Sequence, residues 1–280
     1  MPSLNATGYL RPATPDDALA ALGEGAVAVA GGTAVILHPP PGTRTLVDLT
    51  DALPSGITVE GGTFRIGAMT TLSAMLEHPE LGSIYDGVLA RMLALVGSPL
   101  LRNAATIGGH LGRGRLSDVI PVLIAFDARV SVYDGITSTM DLEQYYAAGL
   151  HRARALITDV LVPPRPGGSA AGFEKIARTH FDLAMLNGAA RVTVDRGVVS
   201  GARVVVGETP ALGSRVPAAE AALDGKPLDT PAIAAAVEAA RDSVVVAADS
   251  RASAEYRHAL VGVVVERCLR EAAAHLGEAR

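Results

Sequence analysis

Short apolar runs and helical patterns alternate along the first half of the chain. Thr14-Pro15-Asp16-Asp17 predicts a helix start, because threonine caps the end, proline fits the first helical position, and acids favour the positive helix terminus. The remaining patterns predict two strands, a hairpin around Gly61-Gly62 and two further helices, in that order, at 26–30, 45–49, 57–67, 72–78 and 87–97.

A long segment with neither helical nor strand periodicity precedes the second half of the chain. Residues 102–118 contain four glycines and show no helical or strand pattern, so we expect a long functional loop there. The Pro- and Gly-rich stretch 163–169 indicates a boundary. Beyond it, β-rich runs meet at an Asp195-Arg196-Gly197 turn, and helices begin near Thr230 and Ser253. The pattern predicts an α+β fold in two lobes.

Composition narrows the class of protein. The chain has 280 residues, of which 49% are hydrophobic and 19% charged, so it can bury a sizeable core. Its net charge of -5 and the absence of basic runs interleaved with aromatics disfavour nucleic acid as a partner. No apolar stretch reaches the ~20 residues of a membrane helix, and the first residues lack a signal-peptide pattern. We therefore expect a cytoplasmic protein with no membrane span.

The cysteine count excludes both an internal disulfide and an iron–sulfur cluster held by this chain alone. Cys268 is the only cysteine in the chain, so an internal disulfide is impossible. An all-thiolate iron–sulfur cluster takes about four cysteine ligands, so the chain cannot hold one alone. Because Cys268 lies in an apolar helical pattern, we interpret it as a small core residue rather than a nucleophile. Histidine spacing shows no H-E-x-x-H pattern, and there is no G-x-S-x-G elbow, so we predict neither a metal site nor catalytic side chains.

Two glycine pairs are candidate sites for binding a phosphate-containing ligand. Ala30-Gly31-Gly32-Thr33-Ala34 follows a predicted strand, and Thr106-Ile107-Gly108-Gly109-His110 lies in the glycine-rich segment. Paired glycines allow positive φ and close ligand approach, and successive free N–H groups can bind phosphate oxygens. Each pair alone is more often a tight turn. Neither fits the G-x-G-x-x-G or GK[ST] fingerprint, so a Rossmann-bound nicotinamide or a nucleoside triphosphate is disfavoured.

Several motifs together resemble one family. AGGT after a strand, RIGAMTTLSAMLEHPEL, SPLLRNAATIGGHL, FEKIARTHFDLA and DSRASAEYRHAL are similar, in this order, to the FAD-binding subunit of the molybdenum hydroxylases. This is the xanthine dehydrogenase and carbon monoxide dehydrogenase type. The likeness covers about 20–270. TIGG with its upstream Arg-Asn is fairly specific, and its combination with the C-terminal motif is strong.

The resemblance implies a fold and domain boundaries. The fold is α+β: a PCMH-type FAD-binding lobe of two subdomains, then a small lobe with a three-stranded sheet and helices. Residues 1–165 would form the first lobe, with α/β subdomains at about 1–52 and 53–165, and 170–280 would form the second.

The resemblance also implies the cofactor, FAD, and its contacts. The pyrophosphate and ribityl chain would lie on Ala30, Gly31, Gly32, Thr33 and Ala34 and on Thr106, Ile107, Gly108, Gly109 and His110. Asp118 would accept from ribose hydroxyls, or else cap the following helix. Lys175 would approach the flavin, or else be a solvated lysine. Leu183 falls where some relatives have a tyrosine near the isoalloxazine.

The implied role is electron relay within a complex. A molybdopterin large subunit would oxidise the substrate, and a [2Fe-2S] small subunit would pass electrons to this FAD. Three departures from the family pattern bear on FAD affinity or on the acceptor. First, His110 stands where the family usually has Asn. Second, the loop 110–117 is about one residue shorter than in the family. Third, Val206-Gly207-Glu208 replaces the family's G-G-V after the C-terminal strand. A stand-alone FAD oxidoreductase and an FAD-free scaffold stay open as alternatives.

Overall fold

A computed structural model describes residues 5–209 and 213–278, which divide by their internal contacts into two compact units. Unit 1 comprises the chain up to Glu77, together with Ser98–Gly114 and Ala128–Pro163. Unit 2 comprises His78–Gly97, Arg115–Asp127 and the chain from Pro164 onward. The chain therefore passes between the units several times, and each unit is built from separate segments.

The described residues form both strands and helices. The strands are β1 (Gly8–Leu10), β2 (Ala26–Val29), β3 (Thr45–Asp48), β4 (Ile57–Glu60), β5 (Thr63–Gly67), β6 (Arg129–Tyr133), β7 (Thr137–Asp141), β8 (Leu156–Val162), β9 (Ser169–Ile176), β10 (Leu186–Asp195), β11 (Val198–Gly207) and β12 (Ser214–Arg215). The helices are α1 (Pro15–Ala21), α2 (Leu72–Glu77), α3 (Pro79–Ser83), α4 (Val88–Ala94), α5 (Pro99–Ala104), α6 (Ile107–Arg113), α7 (Val119–Ala125), α8 (Leu142–Ala147), α9 (Pro217–Leu223), α10 (Thr230–Ser243) and α11 (Ala254–Glu278).

Unit 1 contains a small parallel sheet with the order β1-β3-β2. Helix α1 connects β1 to β2 and begins as predicted, because the Thr14 side chain accepts a hydrogen bond from the Asp17 N–H. A buried Val47 on β3 anchors the sheet. In contrast, β2 is half-buried along its whole length, so one of its faces stays open.

The second sheet of unit 1 is antiparallel, with the order β4-β5-β8-β6-β7. The predicted hairpin between β4 and β5 is confirmed: Gly61 and Gly62 have φ of +56° and +80°. Two successive positive φ values are what a tight two-residue hairpin turn requires. Ile66, Val130 and Val160 are fully buried on this sheet.

The predicted loop at 102–118 is wrong over most of its length. The structure has α5 up to Ala104 and α6 over Ile107–Arg113. Ser98 and Thr106 cap the two helices, since each hydroxyl accepts an N–H three residues later. Ile107 and Leu111, one helical turn apart, are fully buried, and this spacing is the helical signal that four glycines obscured.

Unit 2 is built on an antiparallel sheet with the order β12-β11-β10-β9. The three long strands expected from the sequence are extended by β12, which is only two residues long. The predicted turn at Asp195-Arg196-Gly197 is confirmed: Arg196 and Gly197 have φ of +50° and +87° and connect β10 to β11.

The long helix α11 packs on this sheet at very close range. A Cβ added at Gly172 on β9 would lie 2.2 Å from the Cys268 carbonyl oxygen. Cys268 is 1% exposed, and its thiol donates to the Gly188 carbonyl at 3.4 Å. Burial raises the pKa of this thiol far above its usual range. The interpretation of Cys268 as a core residue is therefore confirmed, since a nucleophile needs an accessible thiolate.

We predict that Gly172→Ala destabilises the protein by ~1–3 kcal/mol, because the added methyl group meets helix backbone that cannot rotate away. Gly201→Ala on β11 is the matched control, since its Cβ would have no heavy atom within 4 Å. It should stay within ~0.5 kcal/mol of wild type. Urea unfolding measures both. Equal stabilities would show that α11 is not held at this distance.

Candidate functional site

Unit 1 contains a half-open cavity of about 670 Å³. This volume lies within the ~300–1,000 Å³ range of small-molecule sites. The open face of β2 forms part of the wall, together with the 3-10 turn Leu150–Arg152 and the start of β8. Nine of the ten residues in the two predicted glycine loops line it, namely Ala30, Gly31, Gly32, Thr33, Ala34, Thr106, Gly108, Gly109 and His110. Ile107 does not, because its side chain is fully buried in the core.

At Gly31, the loop Ala30–Ala34 lies so close to the end of α5 that no side chain would fit there. A Cβ on Gly31 would lie 1.7 Å from the Ala104 carbonyl oxygen. Gly32 has φ of +70°, in the left-handed region that glycine adopts without strain. Both glycines are therefore required by the loop's own conformation.

This loop also presents a row of unused donors. Within residues 5–209 and 213–278, no acceptor is found for the backbone N–H groups of Gly31, Gly32, Thr33 or Ala34. Successive unpaired N–H groups around a left-handed residue form a concave site for anionic oxygens. The loop can therefore bind a phosphate without a basic side chain.

The second glycine loop has a different role. The N–H groups after Thr106 all have partners within the chain: Ile107 to Thr70 O at 3.0 Å, Gly108 to Ala68 O at 2.9 Å, Gly109 to Thr106 Oγ1 at 3.1 Å and His110 to Thr106 O at 3.0 Å. A Cβ on Gly108 would lie 2.7 Å from the Ala68 Cβ. Gly108 thus permits close packing of α6, and Gly109 leaves bare backbone at the cavity.

The imidazole of His110 is neutral near pH 7. Burial lowers its pKa from 6.5 to about 4, and the charge of Arg113 on the same helix adds to this shift. A neutral ring can both donate and accept a hydrogen bond. The side chain is half-buried and lines the cavity.

Asp118 and Lys175 lie together in unit 2. The Lys175 Nζ is 2.7 Å from Asp118 Oδ2, and both side chains are less than a tenth exposed. Lys175 also donates to the Leu95 carbonyl at 2.9 Å, and the Asn187 amide donates to Asp118 Oδ1 at 2.7 Å. The solvated-lysine alternative is therefore wrong. Asp118 does occupy the N-cap position of α7, as the capping alternative expects, but its side chain makes no hydrogen bond to the first turn of the helix.

Leu183, also in unit 2, is 45% exposed. The Leu183 N–H donates to the neighbouring Asp182 carboxylate at 2.8 Å. The structure thus brings the two glycine loops to one cavity, pairs Asp118 with Lys175, and leaves Leu183 on the surface of its own unit.

The C-terminal motif forms a buried ion network in unit 2. Arg251 and Arg257 both pair with Asp249 at 2.8 Å, and Arg251 also lies 3.3 Å from Glu208. Burial would raise the pKa of Asp249, but hydrogen bonds from the two arginines outweigh it and hold that pKa well below its usual range. Glu208, one of the departures from the family pattern, accepts the Ser117 N–H at 3.1 Å. The motif therefore ties separate segments together.

Two cavity residues were missed by sequence reasoning. Tyr145 on α8 is 3% exposed, and His151 lies in the 3-10 turn that follows. Both line the cavity. A tyrosine pair in a short helix and a histidine in the turn after it are both common in packing roles, so the sequence carries no signal that separates these side chains from packing residues.

Comparisons with known proteins agree over nearly the whole chain. A family model described as the FAD binding domain in molybdopterin dehydrogenase matches residues 4–165. A second, described as the CO dehydrogenase flavoprotein C-terminal domain, matches 171–272. The nicotine 6-hydroxylase medium subunit of Paenarthrobacter nicotinovorans is 30% identical, over 97% of this chain and 99% of that protein.

Carbon monoxide dehydrogenases are similar in sequence and structure. The medium chain from Afipia carboxidovorans is 30% identical over 95% of this chain and 96% of that one. A solved carbon monoxide dehydrogenase of Hydrogenophaga pseudoflava, which lacks the Mo-pyranopterin moiety, matches with a TM-score of 0.88 and 28% identity. That match covers 98% of this chain and 99% of the other.

The fold and the cavity define an FAD-binding oxidoreductase subunit. More particularly, the chain belongs to the FAD-binding medium subunits of the molybdenum hydroxylases. FAD is its cofactor, and the residues present fit that group: a row of free N–H donors for a pyrophosphate lines a cavity of suitable volume.

Within residues 5–209 and 213–278, no helix combines the length and apolar character needed to cross a membrane. Nor do three or more His, Cys, Asp or Glu side chains come together there in a way that would hold a metal ion.

We predict that His110 makes the protein more sensitive to acid. Because the folded pKa is about 4 and the unfolded value is 6.5, the unfolded chain binds the extra proton between these pH values. The stability present above pH 6.5 is therefore lost as pH falls toward 4. His110→Asn, which cannot titrate, should lose less melting temperature than wild type between about pH 7 and about pH 4.5. Parallel losses in the two proteins would contradict a lowered pKa at His110.

Proposed function

We propose that the loop Ala30–Ala34 binds the pyrophosphate of FAD through its backbone N–H groups. The four unpaired donors support this assignment, because their residues, Gly31 to Ala34, line a cavity of about 670 Å³. Thr106–His110 would form the adjoining wall by contact rather than by N–H donation, since its own donors are engaged within the chain. The assignments of Asp118, Lys175 and Leu183 to FAD remain predictions.

We also propose domain boundaries at 1–165 and 170–280, with subdomains at about 1–52 and 53–165. The two family-model matches, at 4–165 and 171–272, support the division between the two domains. Compactness groups the chain differently, because His78–Gly97 and Arg115–Asp127 cluster with the later residues. The proposed domains are therefore continuous stretches of sequence, whereas the two compact units combine separate segments that contact one another.

The proposed function is electron relay. The FAD of this chain would take electrons from a [2Fe-2S] small subunit and deliver them to an external acceptor, while a molybdopterin large subunit oxidises the substrate. The observation that carries this proposal is the single, buried Cys268 in an FAD-binding chain. A chain with one inaccessible thiol cannot hold an all-thiolate cluster, so the [2Fe-2S] cluster of the proposed relay would lie on a partner chain.

The names of the relatives support these partners. Relatives are called medium subunits or chains, and one solved neighbour is a carbon monoxide dehydrogenase containing copper and molybdenum. When bound, FAD supplies the electron-accepting ring, and the protein's part is to bind and orient it. No observation specifically favours the stand-alone oxidoreductase or the FAD-free scaffold.

We predict that the FAD-loaded chain is reduced by its partner and not by substrate. Under anaerobic conditions, the reduced [2Fe-2S] subunit should bleach the flavin absorption of the isolated chain. A purine, an aldehyde or carbon monoxide should leave that absorption unchanged, because the sequence contains neither an H-E-x-x-H nor a G-x-S-x-G motif that could support their oxidation. Bleaching by a substrate alone would contradict the relay and favour a stand-alone enzyme.

Two glycine variants serve as controls for the same experiment. Gly31→Ala should lose both FAD and electron uptake, because the added Cβ would overlap the Ala104 carbonyl. Gly23→Ala should keep both, since its Cβ would have no heavy atom within 4 Å. Circular dichroism of each variant verifies that it is folded.

A further inference from the structure

One phenol in the cavity has no partner for its hydroxyl. Tyr145 is 3% exposed and lines the cavity, yet no hydrogen bond to its hydroxyl is found among residues 5–209 and 213–278. Its neighbour Tyr146 behaves differently, because that hydroxyl donates to the Leu111 carbonyl at 3.0 Å. Burial raises the pKa of Tyr145, so its phenol stays protonated and remains a donor.

A histidine beside this phenol also lacks hydrogen-bond partners in the described part of the chain. Both ring nitrogens of His151 are buried, and neither has a hydrogen-bond partner in the described part of the chain. The His151 ring makes edge contacts with Tyr145 and Tyr146, at centroid distances of 6.5 and 5.5 Å. Burial and the nearby Arg152 lower the pKa of His151, which keeps the imidazole neutral, with one donor and one acceptor.

Unpaired buried polar groups are rare in folded proteins, and each one calls for an explanation. Here the two ring nitrogens of His151 are such groups, the unpaired Tyr145 hydroxyl belongs to a residue that lines the same cavity, and both side chains are uncharged. An uncharged donor beside a group that both donates and accepts suits the edge of a heteroaromatic ring, which offers ring nitrogens, carbonyl oxygens and N–H groups. Apolar neighbours such as Leu156 and Ile157 suit the faces of such a ring.

We propose that Tyr145 and His151 recognise the edge of one heteroaromatic ring of FAD, with the Tyr145 hydroxyl donating to a ring nitrogen or carbonyl oxygen. This inference rests on the proposal that FAD occupies this cavity. It assigns two binding residues outside both glycine loops, and it explains why a buried phenol at position 145 has no partner within the chain.

The test compares two neighbouring hydroxyl deletions in the isolated, FAD-free chain. Tyr145→Phe should weaken FAD binding about tenfold, as expected for one lost hydrogen bond in a desolvated site. Its melting temperature without FAD should equal or exceed that of wild type, because the deleted hydroxyl has no partner there. Tyr146→Phe should show the opposite behaviour: a lower melting temperature through loss of the bond to Leu111, and unchanged FAD affinity.

Fragments of the cofactor identify which ring is bound. If Tyr145→Phe weakens binding of ADP and not of FMN, the ring is adenine; the reverse result identifies the isoalloxazine. FAD affinity equal to wild type in Tyr145→Phe, with Gly31→Ala unable to bind FAD, would overturn this inference and leave the loop proposal intact. Wild-type affinity in both variants would overturn the loop proposal as well.

Discussion

The cavity of unit 1 depends on one close approach between backbones. At Gly31 the chain passes so near the end of α5 that the Ala104 carbonyl oxygen occupies the place of any side chain. Only glycine permits this distance, and Gly32 then turns the chain through a left-handed conformation. The approach brings the loop after β2 against the residues that lead into α6. Without it, the two glycine loops would not share a wall.

The two glycine loops use the same residue for different physical purposes. In Ala30–Ala34, glycine frees the backbone, and the donors from Gly31 to Ala34 are left for a ligand. At the start of α6, glycine lets a helix lie against Ala68, and the donors are used within the chain. Anion binding and close packing are thus divided between two segments that look alike in sequence.

Local features of the fold were predictable, whereas features made by distant segments were not. Thr14-Pro15, Gly61-Gly62 and Asp195-Arg196-Gly197 each determine a cap or turn within a few residues, and the structure has all three. Helix α6 was missed because three of its seven residues are glycine and its stability comes from tertiary packing. In the same way, only the folded chain brings Asp118 to Lys175.

The candidate site was predictable to a similar extent. The family motifs located the glycine loops, which line the cavity, and the structure adds which loop has free donors. Tyr145 and His151 could not be found from the sequence, because their significance lies in the hydrogen bonds they do not make within the chain. A missing hydrogen bond can be recognised only when the positions of all neighbouring donors and acceptors are known.

Backbone hydrogen exchange with and without FAD tests the central claim most directly. Amides from Gly31 to Ala34 should exchange fast in the FAD-free chain and become protected when FAD binds. Amides from Ile107 to His110 should be slow in both states, because they are already hydrogen-bonded within the chain. Unchanged exchange at 31–34, with FAD bound at full occupancy, would contradict the assignment of this loop to the pyrophosphate.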